Sequence, residues 1–281
     1  MSTPPLRRIA IIGAGAMGAS LAAITSPHVP TILVVRNAAR AERIRRHGIV
    51  VEGKLAAVGR PEVVSSIDDL ADIHPIDLVF IATKTTSIPE VCAAMAPHLR
   101  DLPYLVSYQN GIEPAQTIMD TLGTTRVVRM VLTYGGTIVN ADDASSEAAN
   151  EPFRIEAGVH QPPHDVGGIG ADARAFARVL AQRLSSMGLP AEFADDIDAA
   201  VWRKGVLNAA SNPIAALVQA PLGELMASPA EPLMERLLEE GMAVASAVGI
   251  DLGDAFRAQA LETMRGGATH LPSMAEDVIH G

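Results

Sequence analysis

The stretch "RRIAIIGAGAMGASLAAI", residues 7–24, leaves this chain few choices of fold. A short apolar run meets a glycine-rich turn, and an Ala-rich helical pattern follows at once. Gly13, Gly15 and Gly18 stand in the spacing G-x-G-x-x-G. The first glycine permits a tight turn. The second lets a backbone come close to a pyrophosphate, and the third lets the helix pack tightly on the strand. The helix start adds free N–H groups and the positive end of the helix dipole. Three glycines at this spacing also close strand–helix junctions that bind nothing. Here they follow a strand and open a helix, which is the context dinucleotide binding requires. Gly13, Ala14, Gly15, Ala16, Met17 and Gly18 are therefore candidate cofactor contacts.

The same alternation continues downstream. "TILVVR", "IDLVFIATK", "LPYLVSYQNG" and "TRVVRMVLTYGGTIV" read as strands. "AARAERIRRHG", "IPEVCAAMAPHL" and "EPAQTIMDTLG" read as the helices between them. "GIVVEG" and "RPEVVSS" read as a small hairpin or an extended excursion. The near-continuous apolar character of the strands fits a parallel sheet covered on both faces. "NADDASSEAANEPFRIEAGVHQPPHDVGG" reads as loop, strand and loop, with a surface turn or mobile loop from Asn140 to Asn150. "ADARAFARVLAQRLSSMG" is an amphipathic helix ending at Gly188, and "LPAEFADD" a short strand. Beyond Ile197 strand signals stop. The expected architecture is α/β: a doubly wound Rossmann-type sheet over residues 1–195, then an all-helical domain over 196–281.

Composition removes several classes of function. A net charge of −10 argues against broad binding to a nucleic-acid backbone, and 3% aromatic residues argue against stacking platforms for single strands. One cysteine, Cys92, allows neither an intrachain disulfide nor a cysteine zinc cluster. A reducing, cytoplasmic setting fits, no metal site is expected, and no apolar run suggests a membrane span.

The arginines narrow the choice of dinucleotide. An NAD site usually carries Asp or Glu at the end of the second strand, to hold the ribose 2′-OH. This chain has "VVRNAAR" there. Arg36 at the strand end, with Arg40 one turn on, suits the 2′-phosphate of NADP, because guanidinium makes paired charge-assisted bonds. Arg43, Arg45 and Arg46 read as a solvated basic helix face. Lys84 and Asn110 follow later strands, at the carboxyl edge where ligands bind in such sheets. Each also has a plain reading, as a loop lysine and as part of an Asn-Gly turn.

"WRKGVLNAASNPIAALV", residues 202–218, is otherwise a core helix, yet Lys204, Asn208 and Asn212 recur every four residues along one side. Pro213 predicts a break in the helix after Asn212. The plain reading is a lysine that snorkels to solvent beside two bridging amides.

These motifs together resemble the ketopantoate reductases, or 2-dehydropantoate 2-reductases. The likeness lies in "GAGAMG", Arg36, Lys84, "QNG", "WRKGVLNAASNPIAAL", "PLGEL" and "HLPSMAEDV", and so spans nearly the whole chain. It implies reduction of the 2-dehydropantoate ketone to (R)-pantoate with NADPH, in pantothenate biosynthesis. By position it implies that Lys204 is the general acid, and that Asn110, Asn208, Asn212 and Ser273 meet substrate. Lys84, and Asn110 on the nicotinamide side, would hold the cofactor. Hydride arriving at a ketone leaves charge on its oxygen, which a lysine offsets and then protonates.

In one respect the sequence departs from the pattern. The family continues past "PSM-x-x-D" with "G-R-x-T-E", whose glutamate meets the substrate hydroxyl and the catalytic lysine. The sequence given stops at Gly281, and neither Glu276 nor Asp277 aligns to replace that glutamate. The helical domain is therefore expected to lack the family's C-terminal end. Two alternatives stay open: a D-2-hydroxyacid dehydrogenase acting on another 2-ketoacid, and a non-catalytic NADPH-binding protein. A homodimer through the helical domain is allowed for.

Overall fold

The computed structural model describes residues 6–73, 75–98, 103–139, 150–268 and 270–280. The chain divides into two compact units, Met1–Ile197 and Asp198–Gly281.

In the first unit, β1 (Ile9–Ile12) leads through the glycine turn into α1 (Ala16–Thr25). There follow β2 (Thr31–Val34), α2 (Ala38–His47), β3 (Ile49–Gly53), β4 (Ala57–Gly59), β5 (Glu62–Val64), β6 (Leu78–Ile81), α3 (Ile88–Met95) and β7 (Tyr104–Ser107). The unit continues with α4 (Pro114–Leu122), β8 (Val127–Val131), β9 (Tyr134–Ile138), β10 (Phe153–His160), β11 (His164–Gly168), α5 (Ala171–Ser186) and β12 (Ala191–Phe193). The main sheet has eight strands in the order β12-β11-β8-β7-β6-β1-β2-β5. All its pairings are parallel except β11 with β8.

Alternation along the strands builds two apolar layers. Ile9 and Ile11 face one side, with α1 and α5, while Ala10 and Ile12 face the other, with α3 and α4. The sheet is therefore doubly wound. Strand order runs outward from β1 to β2 on one side and from β1 to β6 on the other. This is a topological switch point, and the crevice beyond the carboxyl ends of β1 and β6 is where such folds receive ligands.

A second sheet, β4-β3-β10-β9, lies against α1. The two sheets correct three readings of the sequence. "TRVVRMVLTYGGTIV" is two strands, with β8 in the main sheet and β9 in the second. "HDVGG", read as loop, is strand β11. The segment after α2 forms the antiparallel pair β3–β4, and then β5 joins the main-sheet edge. Strand propensity identifies extended segments but does not choose which sheet they join. The predicted surface loop at Asn140–Asn150 lies, up to residue 149, outside the described residues.

The second unit is helical. It comprises most of α6 (Ile197–Val218), then α7 (Leu222–Met226), α8 (Glu231–Ala247), α9 (Phe256–Gly266) and α10 (Ser273–His280). Its core gathers Val206, Ala210 and Ile214 of α6 with Met234, Leu238, Leu261 and Met264. No helix among the described residues is long and apolar enough to cross a membrane. Among them no group of three or more His, Cys, Asp or Glu stands ready to hold a metal ion.

Candidate functional site

The glycine turn separates what the fold demands from what it does not. Gly13 has φ +112°, and a Cβ there would lie 2.9 Å from the Ala82 carbonyl. A Cβ on Gly18 would land on the Gly13 carbonyl oxygen. Both positions are glycine for reasons internal to the protein. Gly15 is different. Its backbone is ordinary and extended (φ −72°, ψ −179°), and an added Cβ would meet nothing within 4 Å. The first turn of α1 carries no acidic residue and no side-chain cap. Its leading N–H groups have no intrahelical acceptor and suit an anion.

Other residues hold this turn from behind. Arg40 Nη1 donates to the Ala14 carbonyl at 2.8 Å, and its guanidinium lies 5.2 Å from the centre of the Phe153 ring. The Tyr134 hydroxyl donates to the Met17 carbonyl at 3.2 Å and lies 2.6 Å from the Tyr108 hydroxyl. Burial pushes the pKa of both phenols up. Both therefore remain protonated hydrogen-bonding groups at neutral pH.

Arg36 is exposed beyond the end of β2. Next to it Asn37 caps α2 by accepting from the Arg40 amide at 2.9 Å. Arg45 donates to the Val63 carbonyl and to Ser65 Oγ, and Arg46 pairs with Glu42. Arg43 corrects the reading of a solvated face, because it is buried with only 6% of its surface exposed. Helix α2 packs against β5 and β10, and its buried side is Ala41, Arg43 and Ile44. A long aliphatic stem fits such a contact.

Lys84 is exposed just past β6, at the start of a single 3-10 turn, Thr85–Ser87. Asn110 is exposed past β7. The two loops meet where Thr85 Oγ1 donates to the Asn110 carbonyl at 3.3 Å. Below them Gln109 is buried, donates to the Ile81 carbonyl at 2.6 Å, and accepts from Ser107 Oγ at 2.9 Å. The glycine turn, Arg36, Lys84 and Asn110 thus follow the carboxyl ends of four adjacent strands, β1, β2, β6 and β7.

In the helical unit, Lys204, Asn208 and Asn212 are each half-buried on α6. Val206, Ala210 and Ile214 sit two residues on from each, about 200° around the helix at 3.6 residues per turn. The polar line therefore runs opposite the face that enters the core. The helix passes through Pro213 unbroken to Val218, which corrects the expected break. Packing of Ile214 and Ala215 into the core holds the last turns helical despite the missing amide. The Ser211 hydroxyl lies 2.8 Å from the Leu207 carbonyl and 3.1 Å from Asn212 Oδ1, and its single proton serves one of these acceptors at a time. Ser273 is exposed as the first residue of α10.

Sequence reasoning passed over Arg40 as a support of the turn, and did not single out Tyr108, Gln109, Arg129 or Tyr134. The one readable signal among these was Arg129, a charge in the middle of "VVRMV".

Residues 9–158 match the family model described as ketopantoate reductase PanE/ApbA, and residues 196–281 match its C-terminal model. The chain belongs to the ketopantoate reductase family. Ketopantoate reductases are oxidoreductases acting on a CH–OH group. The 2-dehydropantoate 2-reductase of Archaeoglobus fulgidus is 24% identical over 277 residues, covering 98% of this chain and 86% of its own. That of Caulobacter vibrioides is 26% identical over 250 residues, covering 88% and 76%. Among solved structures, a PanE/ApbA family ketopantoate reductase from Ralstonia eutropha superposes with TM-score 0.81 at 24% identity, covering 97% of this chain and 85% of that one. D-mandelate dehydrogenase in complex with NADH superposes with TM-score 0.76 at 21% identity, covering 98% and 86%.

Proposed function

We propose that this ketopantoate reductase family member reduces 2-dehydropantoate to (R)-pantoate with NADPH, a step toward pantothenate. The observation that carries the reading is the open space before Gly15. The fold needs glycine at 13 and 18 for its own packing, whereas the bare backbone at 15 serves a group that comes from outside. A pyrophosphate fits it, as an anion facing free N–H groups at a helix start. The exposed Arg36 suits a 2′-phosphate. Residues 1–195 then form the cofactor domain and 196–281 the substrate domain.

When bound, NADPH supplies the hydride. The remaining work falls to side chains of this chain. Lys84 and Asn110 border the cofactor. Lys204 offsets the charge that grows on the ketone oxygen and donates the proton. Asn110, Asn208, Asn212 and Ser273 hydrogen-bond polar groups of the substrate without adding a further charge. The likeness to D-mandelate dehydrogenase supports a second reading, a reductase for another 2-ketoacid. One or two pocket residues suffice for such a change.

The test follows NADPH and NADH consumption with 2-dehydropantoate and with branched and aromatic 2-ketoacids. The proposal expects 2-dehydropantoate with NADPH to give the highest kcat/KM. Preference for an aromatic ketoacid moves the chain to the second reading. Tight NADPH binding with no turnover of any ketoacid defeats both.

A further inference from the structure

Strand β8 (Val127–Val131) is buried along its whole length, and its middle residue is an arginine. Only 3% of the Arg129 surface is exposed, and burial lowers its pKa to about 10. A cation in such a place is costly unless its donors are used. Among the described residues no carboxylate pairs with it; Nε is buried without a hydrogen-bond partner, and the acceptors of Nη1 and Nη2 are all on one turn. Nη1 donates to the Ser107 carbonyl and to Ser107 Oγ, each at 3.2 Å, and Nη2 donates to the Gly111 carbonyl at 2.8 Å.

Ser107 and Gly111 bracket the turn that carries Asn110. Within the bracket further hydrogen bonds hold the turn, among them the Tyr108 amide, which donates to the Ile81 carbonyl at 3.1 Å. Gln109 is tied to the end of β6 and to Ser107 Oγ. The Asn110 carbonyl is tied to Thr85. Gly111 has φ +107°, so the chain leaves the turn in a conformation that few side chains tolerate. The planar fork of arginine suits this task, because it reaches two carbonyls on either side of a turn at once. A lysine carries its three donors on one nitrogen and lacks the two-nitrogen spread that reaches both sides of the turn.

We propose that Arg129 is a positioning residue that clamps the Ser107–Gly111 turn and so fixes the direction of the Asn110 side chain. The inference rests on the role given to Asn110 above. A displacement of about 1 Å in a positioning group costs on the order of 10²-fold in rate.

The test is a double-mutant cycle on the full chain, with steady-state kinetics on 2-dehydropantoate and NADPH and a thermal melt of each variant. The variants are Arg129→Met, Arg129→Lys, Asn110→Ala and Arg129→Met with Asn110→Ala. Arg129→Met is expected to lower kcat/KM about 10–100-fold. Arg129→Lys is expected to recover part of that loss. Once Asn110 is alanine, Arg129→Met should cost no more than about twofold, since coupled residues are not additive. If Arg129→Met fails to fold, the cycle is run with Arg129→Lys. Losses that multiply in the double variant, or an Arg129→Lys enzyme equal to the parent, overturn the proposal. An Asn110→Ala enzyme equal to the parent instead sinks the role of Asn110, and the clamp loses its purpose.

Discussion

Alanine at two glycines of one turn should produce opposite failures. At position 15 the backbone is extended and the new Cβ enters open space. The folded state loses a glycine N-cap in favour of a poorer one, a cost of up to about 1 kcal/mol. The unfolded chain loses freedom, which returns about 0.4–1 kcal/mol. The net change lies within about 1 kcal/mol, or a melting shift of no more than about 2–4 °C for a domain of this size. The methyl group occupies the open face to which the proposed function assigns a pyrophosphate. Pushing a phosphate outward weakens one or two charge-assisted bonds of about 1.5 kcal/mol each. NADPH affinity should fall roughly 10–100-fold. At position 18 the Cβ meets the Gly13 carbonyl oxygen and lies 3.1 Å from Ala82 Cβ. Backbone cannot swing aside as a side chain does, so overpacking of about 1–3 kcal/mol or more follows. Gly18→Ala should melt several degrees lower. NADPH fluorescence titrations and melts on both proteins decide the matter. A Gly15→Ala protein that binds NADPH like the parent, or melts as low as Gly18→Ala, would refute the argument.

Arg36→Asp should weaken NADPH by several kcal/mol and NADH far less, because only NADPH brings a phosphate to the reversed charge; equal losses in titrations with both cofactors would move the phosphate contact elsewhere. Lys204→Ala should lower kcat about 10²–10⁴-fold at nearly unchanged NADPH affinity. Asn208→Ala and Asn212→Ala should raise KM more than they lower kcat. Melting losses without kinetic defects in these variants would make the polar line on α6 architectural. Burial raises the Cys92 thiol to about 11, and its side chain is wholly enclosed. Iodoacetamide should therefore label native protein at pH 8 no faster than local unfolding exposes the thiol, and label urea-unfolded protein readily. Rapid native labelling would contradict the packing of α3.

What was legible in the sequence was what neighbouring residues decide among themselves. The glycine turn is of this kind, since a positive φ at Gly13 and close approach at Gly18 are demands of a few adjacent atoms. So is the alternation of strand and helix that gives the doubly wound sheet. The second sheet was not legible, because β8 and β9 run on with only Leu132 and Thr133 between them. Arg43 misled for a related reason: α2 has basic residues all along it, and only β5 and β10 determine which of them is covered. Pro213 misled in the other direction, as a local breaker overridden by packing. For the candidate site, the exposed residues Arg36, Lys84 and Asn110 follow from strand ends. The residues behind them, Arg40, Gln109, Arg129 and Tyr134, touch their partners across long stretches of chain that periodicity does not connect.

The two buried phenols have a direction. A hydroxyl has one proton, and that of Tyr134 goes to the Met17 carbonyl. The proton between the phenols must therefore come from Tyr108. The chain of donors runs from Tyr108 through Tyr134 to the first turn of α1, and it cannot run backward. Tyr108 is also the residue that leads into Gln109 and Asn110. The turn after β7 and the turn after β1 consequently share one support, delivered through a strand of the second sheet. A movement of either turn strains a hydrogen bond belonging to the other. The small sheet thereby keeps two loops at the carboxyl edge of the main sheet in fixed register.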